Sequence, residues 1–567
     1  MELTGPAREL GSRGSRRASL DEGLSHASAA VLAGVPRWWE EQARAVGLRG
    51  QWTVVHRTVD LAPIGNLGVD PADLSGLSPE DIAHLYVSGL PSATRSAHGR
   101  HYTPQRLADQ LWQLAARQVG LSWSASALTT LVRDPACGAG MLLLPALRAH
   151  IAGSCDQQPE LVLRRLPSVI EGTDLDQHAV WLANALLAAE CLSVLVQIPE
   201  HRRERLPALA RVGDGLTEPE MPAGIVVMNP PYGRVRLSPG ERDRFDHLVR
   251  GHANLYGLFL GLHVEHLTDD GVLAAVVPTS FTSGAYFTNL RRHLATTAPL
   301  CDLAFVADRS GVFGSVLQET CLATFARSSQ PGVSVARIAH ELTRFANTAA
   351  VPPDRPWLLP RHPEDAPLAL ASARLPLTLG AAGWKASTGP LVWNRRKTDL
   401  YGRPGRGRVR VVWAADIRSG QVVMDSSRDD MRFLALTRDS DQRVMVLNAP
   451  AILVQRTTAP EQSRRLVTAV LTEATLSGNG GAVVVENHVN VVRPRMPNPL
   501  VSTRLLSRLL ASRHLDRLMR CISGSVAVSA FELEALPLPD AATLQTWDSL
   551  SDADLNSALD QAYGALA

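Results

Sequence analysis

Asn229, Pro230, Pro231 and Tyr232 directly follow the unbroken apolar run Ala-Gly-Ile-Val-Val-Met at 223–228. Such a run reads as a buried strand that delivers a rigid turn to the edge of a sheet. The Asn carboxamide oxygen and the carbonyl of the first Pro can both accept from one amino group. Pro has no N–H to compete, and its fixed φ holds that carbonyl in place. Tyr232 adds a flat face on which a planar ring can stack. The chemistry this suits is the holding of an exocyclic amine of a base.

Three further segments carry acidic or glycine-rich turns. Val-Arg-Asp-Pro-Ala-Cys-Gly-Ala-Gly at 132–140 ends a strand in an acid, and Gly138 and Gly140 allow close approach to the backbone ahead of a helix N-terminus. These glycines do not fit G-x-G-x-x-G and no Walker lysine follows, which disfavours dinucleotides and triphosphates. Gly-Thr-Asp-Leu-Asp at 172–176 puts Asp174 where a carboxylate can accept from both hydroxyls of a ribose. Its distance from the glycines exceeds the roughly 20 residues of a dehydrogenase, and a helical insertion near 150–165 absorbs the difference. Val-Gly-Asp-Gly-Leu at 212–216 places Asp214 just ahead of the Asn-Pro-Pro-Tyr strand, where it can accept from an adenine amino group. Alone, Asp174 and Asp214 also read as helix caps or turn formers; their order makes positions 134, 174, 214 and 229 successive strand ends along one sheet edge.

The elements needed to position these residues are an alternation of helix and short apolar strand from 100 to about 327. That pattern predicts an α/β, Rossmann-like domain with a mostly parallel sheet and ligands at the carboxyl ends of its strands. The organisation expected is an N-terminal tail and helical extension over 1–95, a catalytic domain over 96–345, a Pro-rich linker over 346–365 and a mixed α+β domain over 366–567. An Arg-studded amphipathic helix is expected from about 500 to 523. The apolar stretch 181–198 is interrupted by Asn184 and Glu190 and reads as a buried globular helix, not a membrane span.

With 567 residues, 45% apolar and 20% charged, the chain has the composition of a packed multi-domain protein. Net charge is only +2, but residues 331–520 hold 28 Arg and Lys against 15 Asp and Glu, an asymmetry that suits a nucleic-acid-facing region. Within it Arg395, Arg396, Lys397, Arg406 and Arg408 are interleaved with Trp393, Tyr401 and Trp413, a pattern for phosphate contact and stacking. The six cysteines form no Cys-x-x-Cys pair, so neither a disulfide framework nor a metal site is expected, and a cytoplasmic location fits.

On these residues the chain resembles the N6-adenine DNA methyltransferases of the gamma arrangement, over about 95–340 strongly and beyond that more loosely. The later segments at 387–413, 452–466 and 484–494 are similar to recognition domains of type II modification methylases of the PstI, XhoI and TaqI kind. The resemblance implies S-adenosylmethionine as methyl donor. It places Thr103 and Pro104 near the methionine part, and Asp134, Ala136 and Gly138 in the cofactor turn. Asp174 becomes the ribose acid with Leu175 beside the adenine, Asp214 the reader of that adenine, and Phe259 a packing partner of the same ring. Phe313 matches an aromatic that, with Tyr232, would sandwich a flipped target base. The function implied is site-specific methylation of adenine N6 in double-stranded DNA by a monomer, with a cognate endonuclease encoded separately. The rival readings are a methyltransferase acting on RNA or protein glutamine, and a DNA-binding protein with an inactive methylase half.

Overall fold

The computed structural model describes residues 8–9, 24–91, 103–307, 319–328, 332–339, 341–418, 420–424, 430–458 and 462–564. The chain divides into two compact units, one of residues 4–278 and 286–344, the other of residues 1–3, 279–285 and 345–567.

In the first unit the elements run α1 (His26–Ala45), α2 (Pro79–Gly89), α3 (Gln105–Gln118), β1 (Val132–Asp134), α4 (Leu144–Gly153), α5 (Pro159–Val169), β2 (Ile170–Asp174), α6 (Gln177–Glu190), β3 (Ala210–Val212), β4 (Ala223–Met228), α7 (Leu255–Glu265), β5 (Leu267–Pro278), α8 (Thr288–Thr297), β6 (Leu300–Val306), β7 (Thr320–Ala326), β8 (Val333–Ile338) and β9 (Leu342–Thr348). Nine strands form one sheet in the order β9-β8-β6-β7-β5-β4-β1-β2-β3. The strands β3, β2, β1, β4 and β5 are parallel, pairing Asp134 with Gly172, Asp174 with Val212, Val132 with Ile225 and Met228 with Ala275. β7 is inserted antiparallel between β5 and β6. The expected α/β class with a mostly parallel sheet is thus observed, and α5 is the insertion that separates the glycine turn from Asp174.

Every residue of β4 is buried, as are all seven of β6 and of β7. A strand covered on both faces reads as a continuous apolar run, which is why β4 was legible. The helices before residue 92 are not a separate body. Val31, Leu32, Trp38, Trp39, Trp52 and Tyr86 belong to the same apolar core as the sheet residues Val132, Ile225 and Val276. Ser78 starts α2 with a capping box to Asp81, and Pro79 sits at the first helical position. The apolar stretch from 181 forms α6 and a short turn of helix, Leu192–Leu195. Among the described residues no helix is long and apolar enough to cross a membrane.

The second unit is mixed α+β. Its six-stranded sheet orders Trp384–Thr388, Val489–Pro494, Ala451–Gln455, Thr468–Leu471, Gly420–Val422 and Ile417–Arg418, and a five-stranded sheet is centred on Arg408–Val412. The amphipathic stretch near 500–523 is two helices, Thr503–Ala511 and Arg513–Ile522, not one. Ser512 takes an extended conformation and its side chain accepts from the Leu515 amide, which ends the first helix and caps the second. Both bury their leucines in a core with Trp384, Ile452 and Val492. The Pro-rich stretch is packed as well: Trp357 is fully buried and meets Phe281 edge-on at 5.5 Å.

The basic loop departs from the expectation of a phosphate-facing row. Arg395, Lys397 and Arg406 are exposed. Arg396 is buried: Nη1 and Nη2 donate to the two Asp441 oxygens at 2.8 and 2.7 Å, and Nε donates to Asp399 at 2.6 Å. It cannot reach a phosphate, so the DNA-contact reading of Arg396 is corrected to a structural one. Arg408 is half-buried, its guanidinium 3.4 Å from the centre of the Tyr401 ring, and Trp413 is buried with its indole N–H on the Met431 carbonyl. The Trp413 ring is a packing surface, whereas Tyr401 and Trp393 are exposed, the latter with Lys397 5.2 Å from its centre.

A buried bidentate pair of this kind costs about 3–5 kcal/mol to break from one side. Arg396→Ala is therefore expected to lower stability by about that amount in denaturant unfolding, while Arg395→Ala changes stability by less than about 0.5 kcal/mol. Equal, small effects in both would return Arg396 to the exposed loop.

Candidate active site

In a parallel sheet the strands' carboxyl ends lie on one edge, and where the strand order reverses the connections diverge and leave a crevice. Here the reversal falls between β1 and β4. The turn 135–140 leaves β1 on one side and Asn229–Tyr232 leaves β4 on the other, so the two most chemical segments of the sequence flank the same crevice.

On the β1 side, Asp134 is 1% exposed. Its Oδ1 accepts from the Ala136 amide at 3.0 Å, and its Oδ2 is buried without a hydrogen-bond partner among the described residues. Burial pushes this carboxyl well above the usual range, and the nearby Asp174 charge adds to it. Gly138 and Gly140 have φ of 51° and 85°, and a Cβ at Gly138 would meet nothing within 4 Å, so the turn borders open space. Asp174, at the end of β2, accepts from the Gly138 amide and from the Asp176 amide, each at 2.9 Å. Asp176 caps α6 through the His178 amide and accepts from the Tyr86 hydroxyl at 2.9 Å. The N-terminal extension thereby braces the turn that aims Asp174, a role its sequence did not disclose. Leu175 and Ala136 are half-buried beside these acids. Cys137 is buried, and its sulfur lies 3.0 Å from where a Cβ at Gly172 would stand, so it is a packing residue.

Past β3, Asp214 forms its own turn: Oδ1 accepts from the Leu216 amide at 3.0 Å and its carbonyl accepts from Thr217 at 2.8 Å. The next residue must be glycine, because a Cβ at Gly215 would stand 2.0 Å from the Pro135 carbonyl and 2.7 Å from the Phe259 ring. Phe259 is 5% exposed and stacks on His263, so it packs the floor of the β1 turn.

On the β4 side, Asn229 is half-buried and Pro230 buried. The Asn229 Nδ2 donates to Thr103 Oγ1 at 2.9 Å, and Thr103, 6% exposed, precedes Pro104 at the start of α3. The Tyr232 hydroxyl lies 3.0 Å from Asn229 Oδ1 and 3.1 Å from the Val276 carbonyl on β5. One O–H proton serves only one of these at a time. Tyr232 meets the edge of Tyr256 at 6.1 Å, and Tyr256 leans on Phe287 at 5.3 Å. Val276 and Tyr256 are not among the residues that the sequence singles out: a main-chain carbonyl leaves no residue-type signal, and a tyrosine within a helix does not disclose which ring it will meet. Phe313 lies outside the described residues.

His263 donates Nε2–H to the Gly215 carbonyl at 2.9 Å from a fully buried position, and burial lowers its pKa to about 4. Its folded value lies below the ordinary 6.5, so its contribution is intact above pH 6.5 and is lost as the pH falls toward 4. Stability is expected to drop by about 3 kcal/mol across that window, and His263→Gln should flatten this part of a stability-against-pH curve. An unchanged slope would show that other groups set it.

A sequence profile described as the Eco57I restriction-modification methylase matches residues 217–313. The type II methyltransferase M.PstI of Providencia stuartii is 23% identical over 333 residues, 56% of this chain and 65% of that protein. M.BsuBI of Bacillus subtilis is 22% identical over 339 residues, 55% of this chain and 64% of that protein. The matched stretches thus cover just under two thirds of these relatives. In structure, the type IIL restriction-modification enzyme MmeI, solved in complex with DNA, aligns over 88% of this chain and 80% of that one at 12% identity with a TM-score of 0.49. The chain is accordingly similar in sequence to the type II modification methyltransferases, and its Asn-Pro-Pro-Tyr turn lies inside the matched methylase segment.

Proposed function

We propose that this protein is a site-specific DNA methyltransferase that transfers a methyl group from S-adenosylmethionine to adenine N6. The observation that carries the reading is the Asn229–Tyr232 turn at the strand-order reversal, facing the Asp134–Gly140 turn across one crevice.

The residues present fit the cofactor. A buried carboxylate with an unpartnered oxygen is costly unless a cation neutralises it, and Asp134 is such a group in a turn opening onto free space. S-adenosylmethionine is cationic at sulfur and carries an ammonium. Asp174 would hold the ribose, with Thr103, Pro104, Ala136, Gly138, Leu175, Asp214 and Phe259 shaping the remainder. When bound, the cofactor supplies an electrophilic methyl.

The chain's own part is positioning. An adenine amine inside a duplex is hidden, so the nucleotide must leave the stack, at a cost of a few kcal/mol. Asn229 Oδ1 and the Pro230 carbonyl would accept the two N6 protons, with Pro231 keeping the turn rigid. Accepting both protons orients the nitrogen lone pair and stabilises charge growing on the amine. Tyr232 can hand its proton to Val276 and release Asn229 Oδ1 for this task. Tyr232, with Phe313, would stack on the base. No strong base is required, because proton loss can follow transfer.

Duplex DNA as substrate is favoured by the exposed Arg395, Lys397 and Arg406 of the second unit; Arg408, on Tyr401, is left as a lesser contact. A monomer would suffice, with its cognate endonuclease on another chain. If RNA or protein glutamine were the acceptor, the first test below separates it.

The deciding experiment is single-molecule sequencing of genomic DNA from a methylation-free host expressing the protein. One short motif fully modified at adenine N6 is the expected result. No modified adenine, with purified protein still binding S-adenosylmethionine, would overturn the DNA reading. Asn229→Ala should lower turnover by about 10²-fold or more with cofactor affinity nearly intact, whereas Asp174→Ala should weaken cofactor affinity. Arg406→Ala should reduce the salt slope of DNA binding by about one; an unchanged slope removes it from the interface.

A further inference from the structure

His247, Glu265 and His293 are far apart in sequence and converge in the first unit. One ligand-type atom from each lies within 4.8 Å of the others, among described residues. His247 Nε2 stands 2.9 Å and His293 Nε2 3.1 Å from the same oxygen, Glu265 Oε1. The two imidazoles meet at 5.2 Å with an interplanar angle of 67°.

We propose that these three side chains form a binding site for a divalent transition-metal ion of the zinc class, separate from the crevice at the strand ends. Three features carry it. The donor set, two imidazoles and one carboxylate, is one that zinc takes with a further position left for water. The two histidine-to-carboxylate separations, 2.9 and 3.1 Å, also suit an ion: two donors each about 2.1 Å from a metal stand roughly 3.0–3.4 Å apart at octahedral to tetrahedral angles. Finally, the His293 Nε2 atom is buried and, although 3.1 Å from Glu265 Oε1, is not aligned to hydrogen-bond with it. A buried ring nitrogen left so is better satisfied by an ion between the three groups than by Glu265 alone.

The surroundings support the same ion. Asp246 Oδ1 lies 3.8 Å from His247 Nδ1, on the far side of that ring, where a carboxylate orients a metal-bound imidazole. The ligands come from three pieces of chain: Glu265 ends α7, His293 lies within α8, and His247 follows the short helix Pro239–Arg244. That last piece is the excursion that leaves the Asn-Pro-Pro-Tyr turn and returns at Ala253–Asn254. It already docks on α7, where a Cβ at Gly261 would come within 2.3 Å of Leu248, and Asn289 of α8 donates to the Asp246 and Val249 carbonyls at 3.4 and 3.3 Å. An ion here would staple the excursion to both helices, ordering the chain just downstream of the turn without touching substrate.

The test uses the full chain stripped with a chelator and titrated with cobalt(II), with zinc as competitor. Expected is a saturable visible d–d band at one equivalent that zinc abolishes, together with slowed amide exchange over 239–250. His293→Gln and His247→Gln should each remove the band, and Asp246→Asn should weaken uptake by about tenfold. Because His247 is exposed, His247→Gln decides the matter if His293→Gln fails to fold. No saturable uptake of either metal, or uptake unchanged in His247→Gln, would overturn the site. Both readouts are independent of methyl transfer.

Discussion

The arrangement rests on the register of short parallel strands. β1, β2, β3 and β4 contribute three to six residues each, yet their hydrogen-bonded alignment brings Asp134, Asp174, Asp214 and Asn229 to one edge. A slip of one residue would send each side chain to the opposite face of the sheet and carry the strand-end residues out of line. Because β4 is buried on both faces, the slip is opposed there by lost packing fit and not by exposure. Chain order does the rest, because the reversal between β1 and β4 lets the two turns diverge from the sheet and leave a crevice between them.

Much of this was legible because the informative residues are local. An apolar run ending in Asn-Pro-Pro-Tyr, or an acid followed by alternating glycines, has a meaning that needs no distant partner. What was hidden depends on pairing across the chain. Tyr86 looked like any helical aromatic until its hydroxyl met Asp176, ninety residues on. Asp214 and Phe259 were expected around a ligand; Asp214 also holds its own turn through the Leu216 amide, and Phe259 packs beneath it, where only glycine fits at 215 between Pro135 and Phe259. The order of the antiparallel β7 between β5 and β6 is a tertiary fact that no local signal discloses.

The second unit gives the sharper lesson on charge. Arg395, Arg396 and Lys397 are consecutive and read alike, yet the middle one is sealed by Asp441. This pair also holds the Asp441 carboxyl down to about 2. Composition counted all three as outward charge, while the fold used one to tie a loop to its neighbour. A basic excess therefore overstates the charge that a polyanion would meet, and exposed residues such as Arg406 carry more of that attraction than their share of the sequence suggests.

The shared proton of Tyr232 has a consequence for selectivity. An acceptor waiting in a crevice would ordinarily be filled by water, which any incoming group would have to expel. Asn229 instead rests against a hydroxyl that has a second place to go, the Val276 carbonyl, 3.1 Å away. Under the proposed function, admission would be an exchange of partners that favours a group bringing protons to donate. A ring carrying a carbonyl at the same position would leave two acceptors facing each other.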